Sequence, residues 1–399
     1  ALRLTAARLE QEGWLENRTP GARALYGQEF SGVRGQLLVE PSTSLRLLFT
    51  ADFSDIVGTG DQHTDFDGNP FDRITSVGDA GGFEREEAGF SVRGDLDLGS
   101  WALTSVSAYR SGDSTARYDQ DFSPAEGVLT TYPEESDIFT QEVRLASDFD
   151  GSFNVLVGAY FLRQDTKNAI VASFGDDDGP GNAFVDTQVE TTNKALFASA
   201  EWVLSDSLTL AGGRRYSDEE KDYDFLTTLF APLPAGSEGD QTSRSDSDVS
   251  GDVSLSYEAS ETTFLYARFA RGFKGGGFDN VSAFQSGALT TIGTAGAIPF
   301  DIRQFLFDPE SVDNYELGVR YTSSDGRLRW SAAAFHMDYS DKQEQITREA
   351  VLGGITVPLA TTANAASVDI SGIETEFSAI LSPWWELDGS VGYLDTQYS

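Results

Sequence analysis

The chain has no cysteine, a single methionine and only two histidines in 399 residues. Without cysteine there is no disulfide, no zinc–thiolate centre and no thiol nucleophile. His63 and His336 are far apart in sequence, and neither has a second histidine or a cysteine at ligand spacing, so no metal site is expected. No apolar run approaches the ~20 residues of a membrane helix, so any crossing of a bilayer must be made by strands. Basic residues are few: Lys and Arg number 28 against 64 Asp and Glu, a formal net charge of −36. That balance argues against a nucleic-acid partner, while leaving room for a membrane protein whose charge sits in loops. No signal peptide precedes Ala1, where the chain opens directly on the alternating run LRLTAARL.

Glycine (40) and aromatics (Phe 27, Tyr 14, Trp 6) are abundant instead, a composition that suits strands. Pro309 to Tyr339 shows the pattern most clearly. Tyr315, Leu317, Val319 and Tyr321 alternate with Asn314, Glu316, Gly318 and Arg320, and Ser323-Ser324-Asp325-Gly326 then supplies turn chemistry. One face is apolar and aromatic, its reverse charged. The same alternation marks about fifteen candidate strands, each close to the 9–11 residues that cross a bilayer when tilted. They lie near 1–10, 30–40, 44–54, 87–97, 101–110, 137–147, 153–164, 193–203, 207–217, 247–257, 262–272, 312–322, 327–340, 367–380 and 384–397. Short connections such as Leu98-Gly99-Ser100 and Ser382-Pro383 alternate with long ones near 11–29, 55–86, 111–136, 165–192, 218–246, 273–311 and 341–366. Tight turns at one rim and long loops at the other are the pattern of an outer-membrane barrel.

The fold expected is therefore all-β, an antiparallel transmembrane β-barrel. A charge facing lipid at mid-depth costs about 2–4 kcal/mol for Arg or Lys. Arg34, Glu142, Arg144, Glu201, Glu316, Arg320, Glu374 and Glu376, all opposite apolar neighbours, are accordingly assigned to a lumen-facing wall. Strands 101–110 and 327–340 have too many small residues for their faces to be assigned. Tyr257, Tyr315, Tyr321, Trp330, Trp384, Trp385 and Tyr393 suit an aromatic girdle at headgroup level, and His336 an interfacial or wall position. Asp61 to Pro70, Phe174 to Gly181 and Asp218 to Tyr223 read as solvated loops; neither of the first two keeps calcium-loop spacing. Phe273-Lys274-Gly275-Gly276-Gly277-Phe278 is not a phosphate loop, because it lacks the G-x-x-x-x-G-K-[ST] order. Its glycines are read as letting the backbone turn at the rim, with Phe273 and Phe278 toward the interface or a ligand.

Several segments resemble the barrel of a TonB-dependent receptor, the energised outer-membrane transporters of Gram-negative bacteria. Phe139-Thr140-Gln141-Glu142-Val143-Arg144-Leu145-Ala146-Ser147 resembles that family's "sQE-R-aS" strand. Ala195-Leu196-Phe197 through Gly212-Gly213-Arg214-Arg215-Tyr216-Ser217 resembles its "alfa…GlRYs" hairpin, with Arg214 standing where a small or apolar residue is more usual. Phe264 through Phe278 resembles "yas-a-GfKgGgf", Pro309-Glu310 with Tyr315-Glu316-Leu317-Gly318 resembles "PE…YElG", and Ile370 to Glu376 resembles "v-G-E-e".

The resemblance implies an outer-membrane receptor for a scarce ligand, above all a ferric siderophore, with no enzymatic chemistry, no catalytic residue and no resident cofactor. Implied partners are outer-membrane lipid or lipopolysaccharide, a small-molecule or metal-chelate ligand, and the TonB complex acting through a plug segment that has no counterpart here. Residues 1–399 would form one partial barrel domain, about 15 of roughly 22 strands, without the plug and the last strands. Acidic loops would disfavour anionic ligands unless Arg110, Arg163, Arg215 and Arg271 cluster at the mouth. Two other readings stay open: a secreted, water-soluble all-β binding or adhesion protein with sheet packed on sheet, and a passive porin.

Overall fold

The structure, a computed structural model, describes residues 1–60, 73–119, 124, 128–174, 183–229, 236–279, 302–352 and 355–398. Within them lie nineteen strands. The first nine are β1 (Leu2–Gln11), β2 (Glu16–Asn17), β3 (Gln28–Val39), β4 (Leu45–Thr59), β5 (Ile74–Thr75), β6 (Gly82–Asp97), β7 (Trp101–Asp119), β8 (Val128–Ser147) and β9 (Phe153–Phe174). The rest are β10 (Ala183–Ser205), β11 (Leu208–Leu229), β12 (Gly236–Ser260), β13 (Thr263–Lys274), β14 (Gly277–Phe278), β15 (Leu306–Phe307), β16 (Glu310–Thr322), β17 (Leu328–Leu352), β18 (Ile355–Ser382) and β19 (Trp385–Tyr398). Fifteen of them form one sheet, each hydrogen-bonded antiparallel to the next long strand in the chain, with β1 and β19 at its edges. No helix is long and apolar enough to cross a membrane among the described residues.

The register joins the faces without a break. Leu37, Phe49, Val92, Ser107, Gln141, Phe161 and Lys194 fall on one rung and one face. Next to it, Val33, Phe53, Leu145, Val157, Leu196, Leu255, Leu317 and Ile373 share that face. It is broadly exposed, Leu317 at 64% and Leu196 at 65%. No second sheet covers it among the described residues, which removes the sheet-on-sheet alternative. The two strands whose parity the sequence left open are now assigned: Leu103, Ser105, Ser107 and Tyr109 lie on the apolar face, as do Trp330, Ala332, Ala334 and His336. Several polar groups on that face are paired. Gln141 donates to Ser105 at 3.0 Å and accepts from Ser107, and the Trp330 indole donates to Thr375 at 2.9 Å. In the turn between β16 and β17, Gly326 takes φ 69°, as its sequence predicted.

The strands are longer than the alternation indicated, up to 28 residues in β18. The stretches read as long loops at 165–192, 218–246 and 341–366 are largely ladder. Their hydrophobic sense explains the discrepancy. On β11 the apolar face carries Leu208, Leu210 and Tyr216, then continues upward as Asp218, Glu220, Asp222 and Asp224. The opposite face, polar below, becomes Tyr223 and Phe225 above. These two pack with Ile170 and Val185 into a buried cluster on the polar-face side. The polarity of the strand thus inverts near Ser217. A short alternating window spanning the inversion shows no consistent apolar face, and so reads as loop.

A smaller cluster, Leu15, Leu25 and Val77, ties the β1–β3 and β4–β6 connections together. β2 pairs parallel with β5 there, and Trp14 stacks on Tyr26 at 4.4 Å.

Candidate functional site

All eight predicted wall residues lie on the polar face. Arg34, Glu142, Arg144 and Glu201 share it with Glu316, Arg320, Glu374 and Glu376 through consecutive rungs. They do not form one constellation. Arg144 bonds Glu142 at 3.0 Å, a pair two residues apart on one strand. Glu316 accepts the Tyr266 hydroxyl, and the Arg320 guanidinium sits over the rings of Phe264 and Tyr266 at 5.6 and 5.5 Å. Arg268 reaches Asp252 at 3.4 Å. Farther round, Arg110 holds Asp52 at 2.8 Å and Glu87 at 3.3 Å. These pairs are partly exposed, so each contributes little to stability individually. Together they make a wettable wall.

The four arginines whose clustering would have offset the acidic loops do not come together. Parity places Arg110 and Arg215 on the polar face, with Arg215 over Tyr160 at 5.0 Å. Arg163 and Arg271 lie on the other face, paired with Glu190 at 2.9 Å and Asp313 at 3.2 Å. Of the girdle residues, Tyr257, Tyr315, Tyr321, Trp330, Trp385 and Tyr393 occupy the apolar face. Trp384 stands in the turn before β19, 89% exposed. His336 lies on the apolar face beside Tyr315 and bonds Ser371 at 3.0 Å. The runs from Asp61 to Pro70 and from Gly175 to Gly181 lie outside the described residues.

What the sequence did not reveal is the docking of the rim loop. After β13 the chain folds toward the polar face instead of standing at the rim. Phe273 stays on the apolar side, opposite Ser311, and Lys274 pairs with Glu310 across the ladder. Phe278 crosses over and packs on Tyr223 at 5.1 Å and Phe225 at 6.2 Å. Gly275, Gly276 and Gly277 do not have positive φ, so turning is not their use. They permit contact: a Cβ on Gly275 would strike Glu219, one on Gly276 the Arg244 guanidinium, one on Gly277 the Phe307 ring.

Polar ties then fix the loop from both sides. The Lys221 ammonium donates to the Gly276 carbonyl at 2.7 Å and pairs with Glu219 at 2.6 Å. Arg244 grips Asp246 through two nitrogens, one at 2.8 Å, and extends to Asp308 at 3.0 Å. From β17 and β18, the Gln343 side chain donates to the carbonyls of Gly275 at 2.9 Å and Asp308 at 3.0 Å. Asn364 donates to the carbonyls of Asp308 and Asp341 and accepts the Asp308 amide at 2.6 Å. Asp218 to Tyr223, read as a solvated loop, is thus a strand whose inward members Glu219, Lys221 and Tyr223 are the docking surface. Burial pushes the Tyr223 hydroxyl up to about 12, against the opposing influence of nearby Arg244. The Arg244 guanidinium is held above its usual range by its bond to Asp246.

Among the described residues no group of three or more His, Asp or Glu is placed to hold a metal ion. The geometry is that of one polar sheet face with a structured, partly aromatic end.

Comparison with known proteins agrees. Residues 34–399 match the family described as TonB dependent receptor-like, beta-barrel. The pesticin receptor of Yersinia enterocolitica serotype O:8 / biotype 1B is 26% identical over 306 residues, 75% of this chain and 40% of that protein. Among solved structures, the ferric yersiniabactin uptake receptor FyuA from Yersinia pestis superposes with a TM-score of 0.78 at 20% identity, over 99% of this chain and 56% of that one. The copper transporter OprC gives 0.71 at 14% identity, over 99% and 57%. The chain spans about 40% of the length of the curated relatives it matches. With the apolar belt, the polar wall and the family match over 34–399 in agreement, this chain belongs to the β-barrel of the TonB-dependent receptors of the Gram-negative outer membrane.

Proposed function

We propose that the protein is a receptor and active transporter that takes up a scarce metal chelate, a ferric siderophore above all, across the outer membrane. In this reading Arg34, Glu142, Arg144, Glu201, Glu316, Arg320, Glu374 and Glu376 line a hydrated lumen. Ligand binds above them, at the docked loop from Phe273 to Phe278, which covers Tyr223 and Phe225. Uptake is binding followed by gating, with the TonB complex acting through a plug domain, and no covalent chemistry. The acidic balance of the chain, −36 overall, makes nucleic acid an unsuitable partner.

The observation that carries the reading is the loop clamped between the β11–β12 and β17–β18 extensions. A passive pore needs a wide mouth. Here a loop with ionic and amide ties covers the buried aromatic pair Tyr223 and Phe225, a patch that a chelate reaches by displacing the loop and can then grip through a few placed groups. Structural likeness to a ferric yersiniabactin uptake receptor and a ferric-catecholate import receptor supports an iron chelate as cargo.

The test is growth of a strain lacking the gene, under iron starvation, on a panel of ferric siderophores, haem, cobalamin and glycans. Failure on one ferric chelate, restored by the intact gene and not when TonB is absent, is the expected result. Equal growth on every ferric chelate would overturn it. Ion conductance by the full-length protein in a planar bilayer, without ligand or TonB, would favour the porin.

A further inference from the structure

From β6 to β12 the cations on the polar face, among the described residues, are Arg85, Arg93, Arg110, Arg144, Arg215, Lys221 and Arg244. Five of them meet a carboxylate two residues away on their own strand. The pairs are Arg85 with Glu87, Arg93 with Asp95, Arg144 with Glu142, Lys221 with Glu219 and Arg244 with Asp246. A strand returns to the same face at every second residue, so a pair of this kind belongs to its strand and moves with it. Displacing the rim loop leaves it intact. Arg110 holds acids of two other strands, Asp52 and Glu87. Arg215 has no carboxylate partner among the described residues, and its guanidinium lies over the rings of Tyr160 and Phe197 at 5.0 and 5.8 Å.

Acids and acceptors on this face are in excess. Glu134, Glu201 and Asp248 make no ion pair with any described residue. The Gln343 amide gives its hydrogens to the carbonyls of Gly275 and Asp308, and its Oε1 is buried with no donor among the described residues. Asn193 donates at 3.3 Å to Glu219, the carboxylate that Gly275 packs against, and its buried Oδ1 likewise has no donor among them. A buried acceptor left without a donor is unfavourable, and an N–H brought by a ligand relieves it. Nor does the rest of the long-loop side offer a compensating charge. The connections at 61–72, 120–127, 175–182, 230–235 and 280–301 contain no lysine or arginine. On β13, Lys274 stands opposite Glu310.

We infer that the mouth takes a ferric chelate of zero or positive net charge that carries N–H donors, and turns away the trianionic class. The charge follows from the chelating groups. Three hydroxamates, each with one negative charge, neutralise a ferric ion, and a pendant ammonium makes the complex a cation. Three catecholates, each doubly negative, leave a triple negative charge. A cationic chelate is drawn to the face that carries Glu134 and Asp248, and its N–H groups supply donors to Gln343 and Asn193. A trianion finds the ammonium of Lys221 and the guanidinium of Arg244 already held by their own strands. Like unit charges ~10 Å apart in water weaken binding about twofold, so a trianion facing one unpaired carboxylate loses about eightfold. The inference rests on the uptake of a ferric chelate proposed above and adds the charge and donor chemistry of the cargo.

The test uses the full-length receptor purified in detergent and one chelate body at three charges. The probes are a ferric linear trihydroxamate with a free terminal amine, the same chelate acetylated there, and the same chelate succinylated there: cationic, neutral and anionic in turn. A ferric tris-catecholate is the fourth. At about 0.01 M salt, where charges act over ~30 Å, the amine form binds about fourfold tighter than the succinyl form for each unpaired carboxylate ~10 Å away, and the tris-catecholate binds weakest. The gap closes as salt approaches about 1 M. Glu219→Gln, which frees the Lys221 ammonium, and Asp248→Asn, which removes an unpaired carboxylate, each narrow the amine-to-succinyl ratio about fourfold. A general disturbance of the mouth would weaken all three forms alike and leave that ratio where it was. Equal binding of the amine and succinyl forms overturns the inference. So does tightest binding of the tris-catecholate, and so does a ratio that neither substitution moves. TonB-dependent uptake of an anionic chelate would leave the transport reading standing and sink this inference alone. Failure to retain a ferric chelate of any charge would sink the reading and this inference with it.

Discussion

Arg244→Met should release the rim loop. The Arg244 and Asp246 side chains are only 13% and 12% exposed, whereas Asp308, the second partner, is 79% exposed. The two pairs therefore differ in weight. The link to Asp308 lies in water and is worth about 0–1 kcal/mol. Methionine at 244 keeps much of the volume but strands the Asp246 carboxylate without its two-nitrogen partner, which costs about 2–3 kcal/mol. The loss falls on the docked state because the Gly276 backbone lies directly on that guanidinium. At 1.4 kcal/mol per tenfold, the open loop becomes roughly 30- to 140-fold more populated. Hydrogen exchange of the amides from Gly275 to Phe278, in the full-length protein in detergent, reads that population directly. Asp308→Asn is the internal control and should shift exchange less than about fivefold. Equal effects of the two variants, or less than threefold for Arg244→Met, would refute the idea that this ion pair holds the loop.

Gly276→Ala should raise the same exchange rates, since its methyl displaces the guanidinium at a cost of about 1–3 kcal/mol. Much of that cost should vanish in an Arg244→Met background, and a double-mutant cycle measures the coupling. Leu317→Lys, on the exposed apolar face, should lower stability by about 2–4 kcal/mol in urea unfolding from lipid vesicles. Glu316→Gln, one residue away on the polar face, should cost no more than about 1 kcal/mol. The Tyr223 hydroxyl ionises near 10 in an unfolded chain and near 12 when buried. Docking stability is thus full below pH 10 and lost as pH rises toward 12, which tyrosinate absorbance and loop exchange will follow together. Tyr223→Phe should remove the alkaline loss and leave neutral pH unaffected.

The belt of the barrel was legible in the sequence because lipid imposes a strict rule. Leu317 and Val319 must face out, Glu316 and Arg320 must not, and a period of two records that directly. Fifteen long strands, and the sheet face of all eight residues proposed for the wall, followed from it. The upper ladder was not legible, because water on the outside imposes no such rule. Asp218, Glu220 and Asp222 mark a wet face, and Tyr223 with Phe225 a covered one, but the covering comes from Phe278, more than fifty residues later in the chain. The ties made by Gln343 and Asn364 had even less signal. Each is a single amide whose partners are backbone carbonyls, which carry no sequence identity. The run of three glycines was visible, and its purpose was misread. A turn and a close approach both call for glycine, and only the positions of Arg244 and Phe307 separate them.

The inversion on β11 also bears on how the mouth works. Below Ser217 the strand buries its apolar side in lipid. Above it, the same strand must bury the other side in protein or leave Tyr223 and Phe225 wet. The docked loop meets that requirement, so the loop and the extensions stabilise one another. A ligand that displaces Phe278 must cover the same aromatic surface or expose it. Recognition at this mouth is then a competition for one apolar patch, in which Lys221, Gln343 and Asn364 set how firmly the loop holds its place. A chelate with a flat apolar portion can compete; a bare hydrated metal ion cannot. Under the function proposed above, that contrast suits an organic metal complex better than a bare ion.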